Sequence, residues 1–484
     1  MRFLTTLVVL WAVGTPLGAQ PGADTLHALT RAYVGVEAVG PVAPDSVWPG
    51  FRPDTVPVVF VLRGRGAVLF GWRGAPPTGY AGVPSVPSAL WIGEAAAGAA
   101  STSTEISGRR AAQVVVGELD PIALAGTAVH EAFHVFQRAN ARPDRRFGRG
   151  ENSALVSRYP VFDARDEAAF ALEARLLSEA LRATRRTDRV RLAQEFVAAR
   201  EARHRRLPEE IAQFDRMAEL NEGLAEYALL RTSELLARRD GGRVSRRTLT
   251  LADSLRTITG DVSRSVRLRF YSTGPAMAVL LDRMVGPSWK RRLVEDDLTL
   301  QEAVAEAAGL RERERSLIAD ATRRHPAPDL LAEAERNIAA LRARRRAQMD
   351  SVLAAPGVLL VVDASRMAQR DHGNCGFDPQ NTLPVTQRIK IHMRWFRPCN
   401  TSNTSGEFNT KVVHDESLGT LAAVLGDESA VEVTIGGGAV RLADGERREG
   451  QRDIRIVAPS ASYQAGKGTL VRRGRELRLE LEPD

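Results

Sequence analysis

One stretch constrains this chain more than any other. Residues Thr127 to Gln137 read TAVHEAFHVFQ and place His130, Glu131 and His134 in the pattern H-E-x-x-H. On a helix, residues four apart stand one above the other on one face, so both imidazoles point at one spot. Two ligands of a tetrahedral Zn²⁺ are then in place. Glu131 follows the first of them and can reach a metal-bound water as general base. Ala128, Val129, Ala132, Phe133, Val135 and Phe136 are apolar, which describes a buried helix carrying three polar groups. Burying such groups without partners is costly, and a bound metal removes the conflict. The plainer alternative is a core helix with incidental histidines, but the chain holds only eight His, so a chance match is rare.

The chain has 484 residues, enough for two or three domains with their own cores. It begins MRFLTTLVVLWAVGTPLGAQ. Arg2, the apolar run Leu4 to Val13 and the small residues Leu17-Gly18-Ala19 read as a secretory signal over 1–19, cut after Ala19. The apolar run is too short to span a bilayer and no later stretch is long enough, so stable membrane insertion is not expected. No Cys follows the cleavage point, which argues against a lipid anchor. The expected location is secreted or periplasmic. Cys375 and Cys399 are the only cysteines, and an even count in an exported chain predicts one disulfide closing a local loop. Net charge is +8, but only four of the 67 basic residues are Lys. The arginines are dispersed among Asp and Glu, as coding bias in a GC-rich genome would leave them. A nucleic-acid partner would need them clustered on one face, so none is expected.

Residues 20–120 read as a mixed region with more strand than helix, punctuated by Pro and Gly. Val58 to Leu62 and Ala67 to Trp72 flank Arg63-Gly64-Arg65-Gly66 as a hairpin. Ala111 to Leu119 reads as a strand leading into the His helix. It is either an edge strand, able to hold a substrate backbone by strand addition, or a plain core strand. Residues 121–355 read as mostly helical, with apolar spacing of three and four over Asp166 to Leu181 and Arg189 to Arg206. A further helix starts at Leu207-Pro208 and runs through Asp215 and Glu222 to about Arg238. Pro275 to Met284, Leu300 to Ala308, Arg311 to Arg324 and Asp329 to Leu353 follow, the last two broken by His325-Pro326-Ala327-Pro328. Residues 356–484 change character. Val358 to Asp363, Gln387 to Trp395, Ala430 to Ile435, Ile454 to Val457 and Leu477 to Leu481 read as strands of a separate β-domain, with a sandwich as the candidate form. His372, His392 and His414 lie there and read as scattered surface or core histidines.

Two histidines need a third protein ligand, with the fourth position left for water. Asn221-Glu222-Gly223-Leu224-Ala225-Glu226-Tyr227 offers Glu222 and Glu226, four apart on one helix face. Glu173 and Glu219 compete with Glu222 for the role. HEAFH followed by NEGLAEY resembles the gluzincins, the zinc peptidases of the thermolysin and aminopeptidase N type. That resemblance implies a zincin-like domain with Glu222 as third ligand and Glu226 orienting His130 through its other ring nitrogen. Arg269-Phe270-Tyr271-Ser272-Thr273-Gly274 is similar to the family's Y-x-x-G element, which implies that Tyr271 steadies the developing oxyanion. The resemblance covers Gly126 to Leu293. It departs from the family in the spacing of 88 from His134 to Glu222, which implies inserted helices. It departs again in lacking a G-x-M-E-N segment before the His helix; Gly148-Arg149-Gly150-Glu151-Asn152 follows that helix instead. Aminopeptidase specificity therefore does not carry over.

The expectation is a multidomain α+β protein, its helical zincin-like domain flanked by an N-terminal mixed region and a C-terminal β-domain. The expected activity is that of an exported zinc metallopeptidase, hydrolysing peptide or protein substrates through a metal-activated water. The alternatives are a scaffold or binding protein with a structural or vestigial metal, and a zinc hydrolase of a non-peptide bond.

Overall fold

The computed structural model describes residues 20–93, 100–239, 245–257, 266–310, 314–367, 374–378, 381–399 and 404–483. Residues 1–19, read from the sequence as a signal segment, and His372 lie outside the described residues. Two compact units emerge. One takes in the described parts of 1–150, 216–251 and 274–307, the other those of 151–215, 252–273 and 308–484. The helical stretch 121–355 is thus shared between them.

The first unit opens with helix α1 (Ala23–Val39) and the short α2 (Ala43–Ser46). Strands β1 (Val58–Leu62), β2 (Gly66–Phe70), β3 (Ala81–Val83), β4 (Val86–Ile92), β5 (Thr102–Ile106) and β6 (Arg109–Val115) form a sheet in the order β3-β4-β2-β1-β6-β5. The expected hairpin is β1–β2, antiparallel with Leu62 opposite Gly66. Both its strands are buried along their whole length, as their unbroken apolar runs require. β6 lies parallel to β1 and antiparallel to β5. Of the two readings of Ala111 to Leu119, the core strand is the one found: β6 is internal, and β5 takes the edge. The chain then enters helix α3 (Pro121–Ala139), which packs against β6 and β5.

The later helices are α4 (Ala164–Arg182), α5 (Arg186–His204), α6 (Glu209–Ala218), α7 (Leu224–Arg239), α8 (Ser245–Thr257), α9 (Arg267–Val285), α10 (Trp289–Glu295), α11 (Leu300–Ala308), α12 (Glu314–Arg324) and α13 (Ala327–Ala354). Between α6 and α7, Glu219–Gly223 forms a π-helical turn. α9 starts eight residues before the expected Pro275, which sits inside it; the extra turns include Tyr271. In the second unit α4 packs on α5 and α13, and α5 on α12.

The C-terminal strands are β7 (Leu359–Asp363), β8 (Asn374–Phe377), β9 (Thr382–Pro384), β10 (Ile389–His392), β11 (Phe396–Pro398), β12 (Ser405–Phe408), β13 (Val412–Asp415), β14 (Thr420–Val424), β15 (Glu432–Ile435), β16 (Gly438–Ala439), β17 (Arg447–Ala458), β18 (Ala461–Arg473) and β19 (Glu476–Leu481). Among the described residues they join into a single sheet of 13 strands. The sandwich expectation is corrected: one nearly closed sheet wraps a shared core that includes Leu360, Phe396, Phe408, Ile454, Tyr463 and Leu479. The closing device is β18, whose first residues pair with both β17 and β12 while its later ones pair with β17 and β19. Cys375 and Cys399 are bonded as a disulfide, joining β8 to the end of its neighbour β11. His392 and His414 are core residues, each 3 % exposed.

Candidate metal centre

α3 is well defined locally. Asp120 caps it, accepting from the N–H groups of Ile122 at 2.9 Å and Ala123 at 3.3 Å, and Pro121 occupies the first turn, where its missing N–H costs nothing. Phe133 is fully buried and meets Trp48 and Phe51 edge-on, with ring centroids 5.6 and 5.1 Å apart. Across the helix, Gly126 admits α7: a Cβ there would stand 2.9 Å from Ser233 Oγ. α7 is held in turn by Tyr227, whose hydroxyl donates to Asp282 Oδ2 at 2.6 Å. Asp282 Oδ1 accepts from Trp289 Nε1 at 2.9 Å.

These contacts bring His130, His134 and Glu222 together, 5, 9 and 3 % exposed. His130 Nε2 lies 3.2 Å from His134 Nε2. Glu222 Oε2 lies 3.5 Å from the first and 3.4 Å from the second. A tetrahedral ion with bonds of about 2.0–2.2 Å spaces its ligand atoms roughly 3.3–3.6 Å apart. The two edges to Glu222 fall within that range and the His–His edge is about 0.1 Å shorter, close to one face of that tetrahedron, and the donor set of two imidazoles and a carboxylate suits zinc.

Each corner is held from behind. Glu226 Oε2 lies 3.2 Å from His130 Nδ1. Gln137 Oε1 lies 2.9 Å from His134 Nδ1. Asn221 Nδ2 donates to Glu222 Oε1 at 3.1 Å, leaving Oε2 to the histidines. Acceptors behind both Nδ1 atoms call for Nδ1–H tautomers, which turn the Nε2 lone pairs toward Glu222 Oε2. Three acceptor atoms then converge in a buried space that demands a proton or a metal cation. The electrostatics agree. Burial alone would lower the His130 pKa, but Glu222 and Glu226 bonded to it, with Glu131 close by, push it up to about 10.

Of the competing carboxylates, Glu222 completes the triangle and Glu173 does not. Glu173 is fully buried in the second unit, where it accepts from Arg203 Nε at 2.6 Å and Arg200 Nε at 3.0 Å. Glu219 is buried on the π turn but is not one of the converging groups. Glu131 is buried on α3, 6 % exposed. Tyr271 is half-buried on α9. The spacing of 88 from His134 to Glu222 contains the passage of 151–215 through the second unit. Sequence reasoning missed Gln137 and Asn221. The signal for Gln137 was there, because 130, 134 and 137 share one helix face at i, i+4 and i+7. No helix among the described residues is long and apolar enough to cross a membrane. Neither protein-family models, nor curated proteins, nor solved structures include a match to this chain.

Proposed function

We propose that the protein is an exported, gluzincin-type zinc peptidase. The observation that carries the reading is the convergence of His130 Nε2, His134 Nε2 and Glu222 Oε2 in a face with tetrahedral spacing, with Glu131 beside it on the same helix. His130, His134 and Glu222 would hold the ion, and three protein ligands leave a fourth position open, as in catalytic rather than structural zinc sites. Zinc held there would polarise a scissile carbonyl and lower the pKa of a coordinated water. Glu131 takes a proton from the attacking water and passes it to the leaving amine. The resemblance alone assigns Tyr271 the role of donating its hydroxyl hydrogen to the developing oxyanion. β5, at the edge of the N-terminal sheet next to α3, offers its backbone to an extended peptide by strand addition. The disulfide suits an oxidising compartment outside the cytoplasm.

The test is digestion of a peptide library by the zinc-loaded protein and by Glu131→Gln and Tyr271→Phe. Wild type cleaves. Glu131→Gln keeps its metal and loses nearly all turnover, and Tyr271→Phe loses about 10²-fold in kcat with little change in KM. An intact library with metal-loaded wild type would reject peptidase activity. Near-wild-type turnover in either variant would reject that residue's role.

A further inference from the structure

We propose that Gln137 is a positioning residue that fixes two of the three candidate ligands at once, orienting His134 through Oε1 and capping through Nε2 the π turn that presents Glu222. The proposal rests on the metal-centre reading above. Gln137 is 1 % exposed, so water cannot stand in for its partners. Its Nε2 donates to Leu220 O at 2.9 Å and to Asn221 O at 3.1 Å. Both carbonyls belong to the π turn Glu219–Gly223. A π turn shifts the helical hydrogen-bond ladder by one residue. Within the turn Asn221 O accepts from Leu224 N–H, and the Gln137 amide adds a side-chain donor to both carbonyls across 83 and 84 residues of sequence.

This arrangement fixes the amide's orientation. Two carbonyl oxygens only accept, so the NH₂ end must face them and Oε1 must face His134 Nδ1, 2.9 Å away. His134 then carries its hydrogen on Nδ1 and presents the Nε2 lone pair to the centre. Glu222, two residues beyond Leu220, is set by the turn that the same amide caps. Gln137 therefore couples α3, which carries both histidines, to the turn that carries the carboxylate.

Two variants separate this role from simple orientation of His134. Gln137→Met keeps the length and loses both functions. Gln137→Glu keeps an acceptor for His134 but replaces the donor to Leu220 and Asn221 with a second acceptor. The measurements are Zn²⁺ affinity by chelator competition above neutral pH, the visible spectrum of the Co²⁺-loaded protein, and the Tm of the chelator-stripped protein. Both variants are expected to bind Zn²⁺ at least 10-fold more weakly, in the range of a lost orienting partner, to alter the Co²⁺ bands, and to melt several degrees lower without metal. Gln137→Glu binding Zn²⁺ as tightly as wild type would overturn the proposal, since a carboxylate behind His134 would then suffice. Unchanged stripped-protein Tm in both variants would also overturn it. Wild type that takes up no Zn²⁺ would reject the metal reading by itself, and the Tm comparison would still test the cap.

Discussion

Gly274 meets Gly223 at a backbone crossing: a Cβ on Gly274 would stand 2.4 Å from Gly223 Cα and 3.2 Å from the carbonyl oxygen of Glu219. Gly223 follows the candidate ligand Glu222, so this crossing sets how far the π turn can reach toward α3. Gly274 lies inside α9, where alanine would ordinarily stabilise the helix by about 0.5–1 kcal/mol. Against that stands overpacking of a backbone contact, about 1–3 kcal/mol, and overpacking wins. Gly274→Ala is expected to lower the Tm and to weaken Zn²⁺ binding 10-fold or more by moving Glu222. Thermal melts and a chelator competition check it. Unchanged zinc affinity would mean that the crossing does not control the ligand.

Glu173 is expected to behave as a structural residue. Its carboxylate lies between Arg200 and Arg203, both fully buried. Arg203 Nη2 also donates to Asp215 Oδ2 at 2.7 Å. Removing one partner of a buried pair costs about 3–5 kcal/mol, because a charge is left in a dry site. Glu173→Ala should therefore unfold at markedly lower urea, while its folded fraction keeps full zinc affinity. Full stability together with lost zinc would assign Glu173 to the metal instead.

The C-terminal sheet carries an acid-sensitive group. His392 is buried against Phe396, ring centroids 4.2 Å apart, with Thr382 Oγ1 3.2 Å from its Nδ1. Burial first, then His414 and Lys390, push its pKa down to about 3. An unfolded histidine titrates near 6.5. Between those values the unfolded chain takes up a proton that the folded one refuses, so the stabilisation is complete above pH ~6.5 and is lost as pH falls toward 3. The ceiling is on the order of 5 kcal/mol. Asp215, whose pKa burial alone would raise but Arg203 and His204 bring down to about 2, adds a loss of the same sign at lower pH, beginning near 4. His130, whose pKa is raised to about 10, contributes with the opposite sign in the metal-free protein: its stabilisation is complete below pH ~6.5 and is lost as pH rises, so it offsets a small part of the loss between pH 7 and about 6. Urea unfolding at pH 7 and 4.5 should show the loss, and His392→Gln should flatten it. An equal slope in the variant would assign the acid sensitivity elsewhere.

Much of the centre was legible because its groups lie close together along the chain. His130 and His134, like Glu222 and Glu226, need only a helix to share a face, and local spacing shows that. Glu226, four residues on, and the resemblance favour Glu222 over Glu173 in the sequence; that 151–215 belongs to the other unit is a long-range fact that local spacing does not show. Helix spacing puts Gln137 on the face of His130 and His134, but its bonds to the carbonyls of Leu220 and Asn221 are long-range and no side-chain pattern reveals them. α9 was read as starting at Pro275 because a proline inside a helix normally breaks it; here the helix runs through. The edge position of β5 was hidden by its polar sequence, Thr102-Ser103-Thr104-Glu105, which reads as loop. The C-terminal strands were recognised where apolar runs were continuous. β18 was missed because Gly466, Lys467 and Gly468 interrupt its apolar residues, and without it a single sheet cannot be told from a sandwich.

The central claim is that three side chains form one metal centre, and zinc titration of the chelator-stripped protein tests it most directly. Wild type and Glu131→Gln are expected to take up one Zn²⁺ per chain with high affinity, Glu226→Ala to bind about 10–100-fold more weakly, and Glu222→Ala to lose tight binding. Wild type that binds no zinc, or Glu222→Ala that binds it at full affinity, would contradict the account.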